Sequence, residues 1–286
     1  MKKVHLVLGS GGARGMAHIG VIEMLQQDGY EIVEVVGCSM GAVVGAMYCT
    51  GNLQKYTQWL LSLTKSGVFS LFDFTLTKQG FVKGEKVFVK IQEFAGEQCI
   101  ENLKIPFVAV ATDMLHKKEV YFTSGNIYKA LRASIAIPGV FTPVITEESV
   151  LVDGGVLNPL PLNLIHKQDD AIVVAVNLNG TPIKHTKQVI REESANYWEW
   201  LPKLPTLVKK DIVEKEKNEI IKLSLFDLLN SSYDCTLDRL TEIIINQYQP
   251  DILIEIPRNI CNTFEFYKAA EVIEIGREAY KKAIAD

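Results

Sequence analysis

Short apolar runs alternate with helical patterns through the first fifty residues. Residues 4–8 and 32–36 are β-rich apolar runs, and each ends in a glycine-containing turn. From residue 16 to 27 apolar residues recur at helical spacing, and a second apolar helix is predicted over about 42–49. The predicted order is therefore strand, glycine loop, helix, strand, tight turn, helix, which is typical of a parallel sheet with helices on its faces.

The same two patterns continue along the chain. Further strands are predicted at 105–111, 120–123, 150–152, 171–176 and 252–256. Helices are predicted through most of 52–104, over 126–134 and over 263–283. At the start of the last helix, Asn262 is placed to act as a cap, with Glu265 reaching back to it.

Residues 181–250 form the least patterned part of the chain. A charge run from Lys209 to Lys217 is typical of a solvated helix face. We find no internal repeat, low-complexity segment or clear linker. The sequence therefore predicts one domain over 1–286, with a core at about 4–178, a helical elaboration at about 181–250, and a closing strand and helix at about 251–286.

Composition narrows the class of protein. The chain has 286 residues, of which 48% are hydrophobic and 22% charged, as in ordinary globular proteins. Its net charge of -4 argues against a general nucleic-acid binder. Five scattered cysteines indicate reduced thiols and a cytoplasmic location. No apolar run approaches a transmembrane helix, so any membrane contact is expected to be peripheral.

The strongest chemical signal is the sequence Gly37-Cys38-Ser39-Met40-Gly41, which has the pattern G-x-S-x-G. Between a strand and a helix, this pattern predicts a nucleophile elbow that exposes the serine at the sheet edge. The turn is so tight that its flanking residues must be small, and the following helix directs its dipole towards developing negative charge.

The segment from Gly9 to Gly15 admits two functions. A glycine loop before a helix binds phosphate in dinucleotide folds, or it supplies backbone amides to an oxyanion. A dinucleotide fingerprint requires glycine where Arg14 stands, and an acidic residue after the second strand, where Ser39 stands. The dinucleotide interpretation therefore fails at both positions.

A third motif, Asp153-Gly154-Gly155, follows the predicted strand at 150–152. Alone, this motif is typical of a turn. Its significance comes from its combination with the two glycine motifs before it.

Together these motifs resemble the bacterial patatin-like phospholipases. The segments AVATD at 109–113, ALRASIAIPGVF at 130–141 and VDGGVLNPLP at 152–161 strengthen the resemblance, which covers about residues 4–178. It implies a three-layer α/β/α sandwich with a mainly parallel central sheet. It also implies a hydrolase acting on lipid or other acyl-ester substrates in lipid metabolism, without a cofactor or metal.

The resemblance assigns a role to each motif. Ser39 would be the nucleophile and Asp153 its proton acceptor, with Gly11 and Gly12 forming the oxyanion hole. Arg14 matches the basic position of the family and would order the loop. Supporting glycines stand at Gly15, Gly37, Gly41, Gly154 and Gly155. Family members often open the loop with Asp-Gly-Gly-Gly, whereas this chain has Gly9 and Ser10 before the two donor glycines.

The order of the motifs excludes an α/β-hydrolase, because that fold places its elbow after several strands and this chain places it after the second. An α/β-hydrolase would also need a histidine after the acid. His166 and His185 follow Asp153, but both positions are more typical of structural or surface residues. His5, His18 and His116 are also expected to be structural. Two alternatives to the hydrolase stay open: a non-catalytic regulator with the same fold, and a nucleotide-binding oxidoreductase, which is the weaker.

One aromatic segment bears on lipid contact. Trp198 and Trp200, within residues 197–202, are residue types that favour the membrane interface. Aromatic side chains more often fill cores, and packing on the domain is the favoured interpretation.

Overall fold

The structure is a computed structural model that describes residues 2–72, 84–165, 170–183 and 225–285. The chain divides into two compact units, 1–183 with 237–286 and 184–236. The described part of the second unit is the beginning of one helix. His166, His185, the charge run at 209–217 and the two tryptophans at 198 and 200 lie outside the described residues.

The described residues form a single sheet and the helices around it. The strands are β1 (Lys2–Leu8), β2 (Tyr30–Cys38), β3 (Phe107–Asp113), β4 (Lys118–Phe122), β5 (Val144–Ile145), β6 (Val150–Asp153), β7 (Ala171–Gly180) and β8 (Ile252–Pro257). The α-helices are α1 (Ala17–Gln27), α2 (Met40–Cys49), α3 (Leu53–Leu61), α4 (Lys65–Phe72), α5 (Glu85–Ala95), α6 (Ile127–Ser134), α7 (Leu225–Tyr248) and α8 (Ala269–Ala285). None of these helices is long and apolar enough to cross a bilayer.

The sheet is mainly parallel at its centre. Hydrogen bonds connect the strands in the order β5-β6-β3-β2-β1-β7-β8, and β4 also pairs with β3. The pairs β1–β2, β1–β7, β2–β3 and β7–β8 are parallel, whereas β3–β4, β3–β6 and β5–β6 are antiparallel. Because both faces of the central strands are covered, β1 is buried from Val4 to Leu8, and every residue of this stretch except His5 is apolar.

Helices cover both faces of the sheet. On one face, Gly45 of α2 lies against the side chains of Leu8 and Val35. Successive side chains of a strand point to opposite faces, so Val7 points the other way. There it belongs to a buried cluster against which Ile244 of α7 packs. The predicted three-layer α/β/α sandwich is therefore confirmed.

The closing helix begins later than its sequence pattern predicts. The pattern predicts a helix over 263–283, but α8 begins at Ala269, after a short 3-10 helix at Phe266–Lys268. Glu265 does reach back to accept the backbone amide of Asn262 at 2.9 Å, but this contact closes a turn instead of starting the helix. The physical reason is aromatic packing: Phe264 and Phe266 both contact the ring of Phe72 on α4, which a helix continuous from residue 263 would not permit.

Candidate active site

Ser39 stands at the sharp turn between β2 and α2. Its φ of 56° lies in a region that non-glycine residues occupy only at a cost of order 1–3 kcal/mol. The neighbouring backbone explains the two glycines of the motif. A Cβ at Gly37 would lie 2.6 Å from the backbone of Ala42, and one at Gly41 would lie 2.1 Å from the carbonyl oxygen of Leu8. The turn can therefore close only because both positions lack a side chain.

Asp153 reaches Ser39 through the pairing of β3. This strand pairs with β2 as far as Val110, opposite Cys38, and with β6 from Ala111, opposite Asp153. Since β4 pairs along the whole stretch 109–113, it must occupy the other side of β3. Strand β6 therefore continues along the same side of β3 from the point where β2 ends, and this brings Asp153 next to the elbow.

The two side chains are in direct contact. The Ser39 hydroxyl donates to Oδ2 of Asp153 at 2.5 Å, and both residues are 3% exposed. The other carboxylate oxygen, Oδ1, accepts the backbone amide of Gly155 at 2.8 Å, which fixes the orientation of the carboxylate. Serine hydroxyl and carboxylate are thus positioned for direct proton transfer.

Burial sets the protonation of this carboxylate. Removal from water raises the pKa of Asp153 to about 6, although the hydrogen bonds from Ser39 and Gly155 act in the opposite direction. The thiol of Cys38 lies 4.0 Å from Oδ1, and burial raises its pKa well above the usual range, so it stays neutral. A carboxylate with a pKa of about 6 is mostly ionised at neutral pH and can accept a proton there.

The glycine loop carries two amides that are available to a ligand. Within the described part of the chain, the amides of Gly11 and Gly12 have no hydrogen-bond acceptor, whereas those of Ser10 and Ala13 on either side donate to backbone carbonyls. Gly12 has a φ of 56° and lines the same cavity as Ser39. The loop can therefore present hydrogen-bond donors to an oxyanion near the serine.

Arg14 ties this loop to the end of β7. Its Nε donates to the carbonyl oxygen of Leu178 at 3.0 Å, and its Nη2 donates to Oδ1 of Asn179 at 3.1 Å. The Asn179 amide in turn donates to the carbonyl oxygen of Ser10 at 3.2 Å. These hydrogen bonds connect Arg14 through Asn179 to Ser10, so the guanidinium can order the loop.

Sequence reasoning missed two residues that hold the site in place. The Ser39 backbone amide donates to the hydroxyl of Ser134, a fully buried residue at the end of α6, at 2.9 Å. The carbonyl oxygen of Thr263 accepts the Ala13 amide at 2.9 Å, and its side chain packs where Gly12 would carry a Cβ. Ser134 lies within the segment 130–141 that carries the family resemblance, whereas no sequence signal pointed to Thr263.

The serine opens into an apolar cavity. The cavity has about 640 Å³ of empty space, including its mouth, and both Ser39 and Gly12 contribute to its wall. Most of the wall is aliphatic or aromatic and comes from α3, α4, α5 and the segment before α8. Representative lining residues are Trp59, Leu63, Val68, Phe72, Ile91 and Phe264. Such a cavity fits a hydrocarbon chain better than a polar ligand.

The described histidines form their hydrogen bonds with residues other than Ser39 and Asp153. His5 contacts Glu34 at 2.6 Å, and His116 contacts Asp113 at 2.6 Å. The Nε2 of His18 lies 2.9 Å from the carbonyl oxygen of Gly9, and burial lowers the pKa of His18 to about 4. His18 is therefore neutral at physiological pH, and its contact with Gly9 supports the glycine loop. Across the described ranges, no three His, Cys, Asp or Glu side chains are grouped to hold a metal ion.

Three comparisons relate the chain to known proteins. The family model of patatin-like phospholipase matches residues 6–165. An uncharacterized NTE family protein of Mycobacterium tuberculosis is 34% identical, over 99% of this chain and 91% of that protein. Neuropathy target esterase sws of Drosophila melanogaster is 32% identical, over 62% of this chain and 13% of that protein. Among solved structures, VipD from Legionella pneumophila aligns with 99% of this chain and 66% of its own, at a TM-score of 0.47 and 14% identity.

Proposed function

This chain belongs to the patatin-like phospholipase family, and from that premise we propose that it is a serine acyl hydrolase that cleaves fatty-acyl esters of lipids through Ser39 and Asp153. The observation that carries the proposal is the 2.5 Å hydrogen bond between these two side chains at the wall of an apolar cavity. A fly relative that matches 62% of the chain is itself named an esterase, which agrees with the proposal. Release of acid from soluble and lipid esters by the purified chain tests the proposed class.

Acylation of Ser39 is the first half of the proposed reaction. The ester carbonyl binds beside Gly12 with its acyl chain in the cavity. Oδ2 of Asp153 takes the hydroxyl proton as the Ser39 oxygen attacks, and the backbone amides of Gly11 and Gly12 stabilise the negative oxygen that forms. When the tetrahedral intermediate collapses, the C–O bond to the alcohol breaks and Asp153 returns its proton to the leaving oxygen.

Deacylation repeats these steps with water as the nucleophile. Asp153 accepts a proton from water as it attacks the acyl-enzyme, and the same amides stabilise the second tetrahedral intermediate. The bond to the Ser39 oxygen then breaks, Asp153 protonates that oxygen, and the fatty acid leaves. A single carboxylate serves both halves because its raised pKa lets it hold the proton transiently.

The pH profile of the reaction should show this raised pKa. Only the carboxylate form of Asp153 can take the serine proton, and its pKa is about 6. We expect kcat/KM to be level above this pH and to fall about tenfold per pH unit below it. The measurement is the rate of p-nitrophenyl butyrate hydrolysis between about pH 4.5 and pH 8.

Tryptophan fluorescence over the same pH range provides the control, because a loss of fold at low pH would imitate the acidic limb. A rate that stays nearly level down to the acidic end of this range would place the pKa near the ordinary aspartate value of 3.8 and contradict the proposed environment of Asp153.

The cavity should determine acyl-chain preference. Val87 lines the cavity, whereas Val89, two residues further along α5, points to solvent. Replacing Val87 with tryptophan would fill part of the acyl site. Because each buried methylene contributes about 0.8 kcal/mol, or about fourfold in kcat/KM, the variant should lose the preference for octanoate over butyrate esters. We expect butyrate hydrolysis to change by less than about threefold, since a short chain occupies only the region next to Ser39.

Val89→Trp is the matched control, because it adds the same ring to the outer face of the same helix. It should keep the chain-length preference of the unmodified protein. Equal preferences in both variants would show that the acyl chain binds elsewhere.

A further inference from the structure

Three large apolar side chains are exposed on the helices that form the cavity wall. Leu61 at the end of α3 is 52% exposed, Phe69 on α4 is 49% exposed, and Val89 on α5 is 51% exposed. Isolated exposed apolar residues are common on protein surfaces. These three belong to three different helices around a single cavity, and we refer to them together as the rim.

Each rim residue lies beside residues of the cavity wall. Leu61 stands between Trp59 and Leu63 in the chain, which both line the cavity. Phe69 directly follows the lining residue Val68, and Val89 lies between the lining residues 87 and 91. The rim is therefore the outer face of the same short helices whose inner faces form the cavity.

A hydrogen bond joins two of the rim helices. The Lys86 ammonium donates to the carbonyl oxygen of Ser70 at 3.2 Å, which links the first turn of α5 to α4. Ser70 is adjacent to Phe69, and Lys86 is one turn from Val89. This contact therefore holds α4 and α5 together close to their exposed apolar side chains.

The charge of this region is opposite to that of the whole protein. The chain has a net charge of -4, yet α3, α4 and α5 together contain four lysines against two acidic residues, Glu85 and Glu93. Lys65 lies one turn before Phe69 on α4, and Lys86 lies one turn before Val89 on α5. Apolar side chains with lysines beside them match a lipid surface that carries anionic head groups, where ammonium groups contact the phosphates and apolar groups enter below them.

We propose that Leu61, Phe69 and Val89 form a docking surface that inserts into the interface of an anionic lipid layer. This inference rests on the proposed function and deepens it, because it states how an acyl chain reaches Ser39. An acyl chain that left the layer through water would lose about 0.8 kcal/mol per methylene. Insertion of the rim would bring the helices that line the cavity to the acyl region of the layer, so that the chain passes from one apolar environment to another.

The test compares the unmodified protein with the triple variant Leu61→Ser, Phe69→Ser, Val89→Ser. Binding is measured by flotation with vesicles of phosphatidylcholine alone and with vesicles that also contain phosphatidylglycerol. We expect the unmodified protein to prefer the anionic vesicles, and the triple variant to bind them at least about tenfold more weakly. The matched control is Ile243→Ser with Ile284→Ser, which removes exposed apolar side chains (44% and 41% exposed) from α7 and α8 and should leave flotation unchanged.

Hydrolysis of soluble p-nitrophenyl butyrate separates docking from chemistry. The triple variant should retain this activity within about twofold, because none of its three positions lines the cavity. Undiminished flotation of the triple variant would overturn the proposal and assign lipid contact to another part of the chain, such as residues 197–202. Equal binding to both kinds of vesicle would also overturn it, because the lysines would then have no role. Vesicle binding by a chain that hydrolyses no ester would refute the proposed function and leave the docking surface intact.

Discussion

Replacement of Ser39 by alanine should lower ester hydrolysis by roughly 10⁴-fold or more, because no other group in the mechanism can form the acyl-enzyme. The same change should abolish labelling by a fluorophosphonate probe, which reacts with activated serine hydroxyls. Intact-mass measurement after labelling gives the direct readout: one added probe mass on the unmodified protein and none on Ser39→Ala.

A glycine at the same position separates chemistry from backbone strain. Ser39 has a φ of 56°, which glycine adopts without penalty. Ser39→Gly should therefore be as inactive as Ser39→Ala but more resistant to urea, by about 1 kcal/mol in the free energy of unfolding. Two inactive variants that differ in stability in this way would show that the strained turn serves to present the Ser39 hydroxyl.

The controls for this prediction use a second buried serine. Ser134 accepts the Ser39 amide, so Ser134→Ala keeps the nucleophile and should still be labelled at Ser39, although more slowly. Near-normal hydrolysis by Ser39→Ala would falsify the assignment of the nucleophile. A correctly folded, unmodified protein that neither turns over esters nor reacts with the probe would instead support the non-catalytic regulator.

Local features of this fold were predictable because they depend on neighbouring residues. The β runs at 4–8 and 32–36 lie within β1 and β2, and the glycines of the elbow stand where adjacent backbone leaves no room for a side chain. The dense apolar pattern of β1 follows from coverage on both faces of the sheet. Hydrophobic periodicity and tight-turn sterics suffice for such features.

Features that depend on distant parts of the chain were not predictable in this way. Asp153 meets Ser39 because β6 takes the place of β2 along β3, and no local pattern specifies which strand continues along which edge. The motif resemblance proposed that Ser39 and Asp153 act together. The strand register explains how the two side chains come into contact. The cavity combines Trp59 with Phe264, which lie far apart in the chain, and the packing of Phe264 is also what delays the start of α8.

Replacement of Asp153 by asparagine should be nearly as damaging as loss of the nucleophile. Asparagine has nearly the same shape, and its oxygen can still accept the Gly155 amide. Its amide nitrogen would face the Ser39 oxygen as a donor, however, and cannot take the hydroxyl proton. We expect kcat to fall by roughly 10³–10⁴-fold, as in comparable replacements of a catalytic aspartate. A decrease of only a few-fold would revive a histidine base, for which His166 and His185 are the candidates, and single alanine variants at each would identify it.

The same substitution should stabilise the fold at neutral pH. The pKa of Asp153 rises from 3.8 to about 6 on folding, so the folded state binds this proton more tightly than the unfolded state. The resulting stability is fully present below pH 3.8 and is lost as the pH rises through about 6. Above that pH the buried carboxylate destabilises the protein by about 3 kcal/mol, which asparagine avoids because it does not ionise. Urea unfolding at about pH 4 and pH 8 should therefore show an advantage of Asp153→Asn that grows with pH, whereas a constant difference would mean that the carboxylate is solvated. Asp153→Asn can then be compared in two measurements: it should be inactive, and it should be more stable than the unmodified protein only at pH values at which Asp153 is charged. Both results together would show that the charged form of Asp153, which acts as the base, is also the form that is costly to bury.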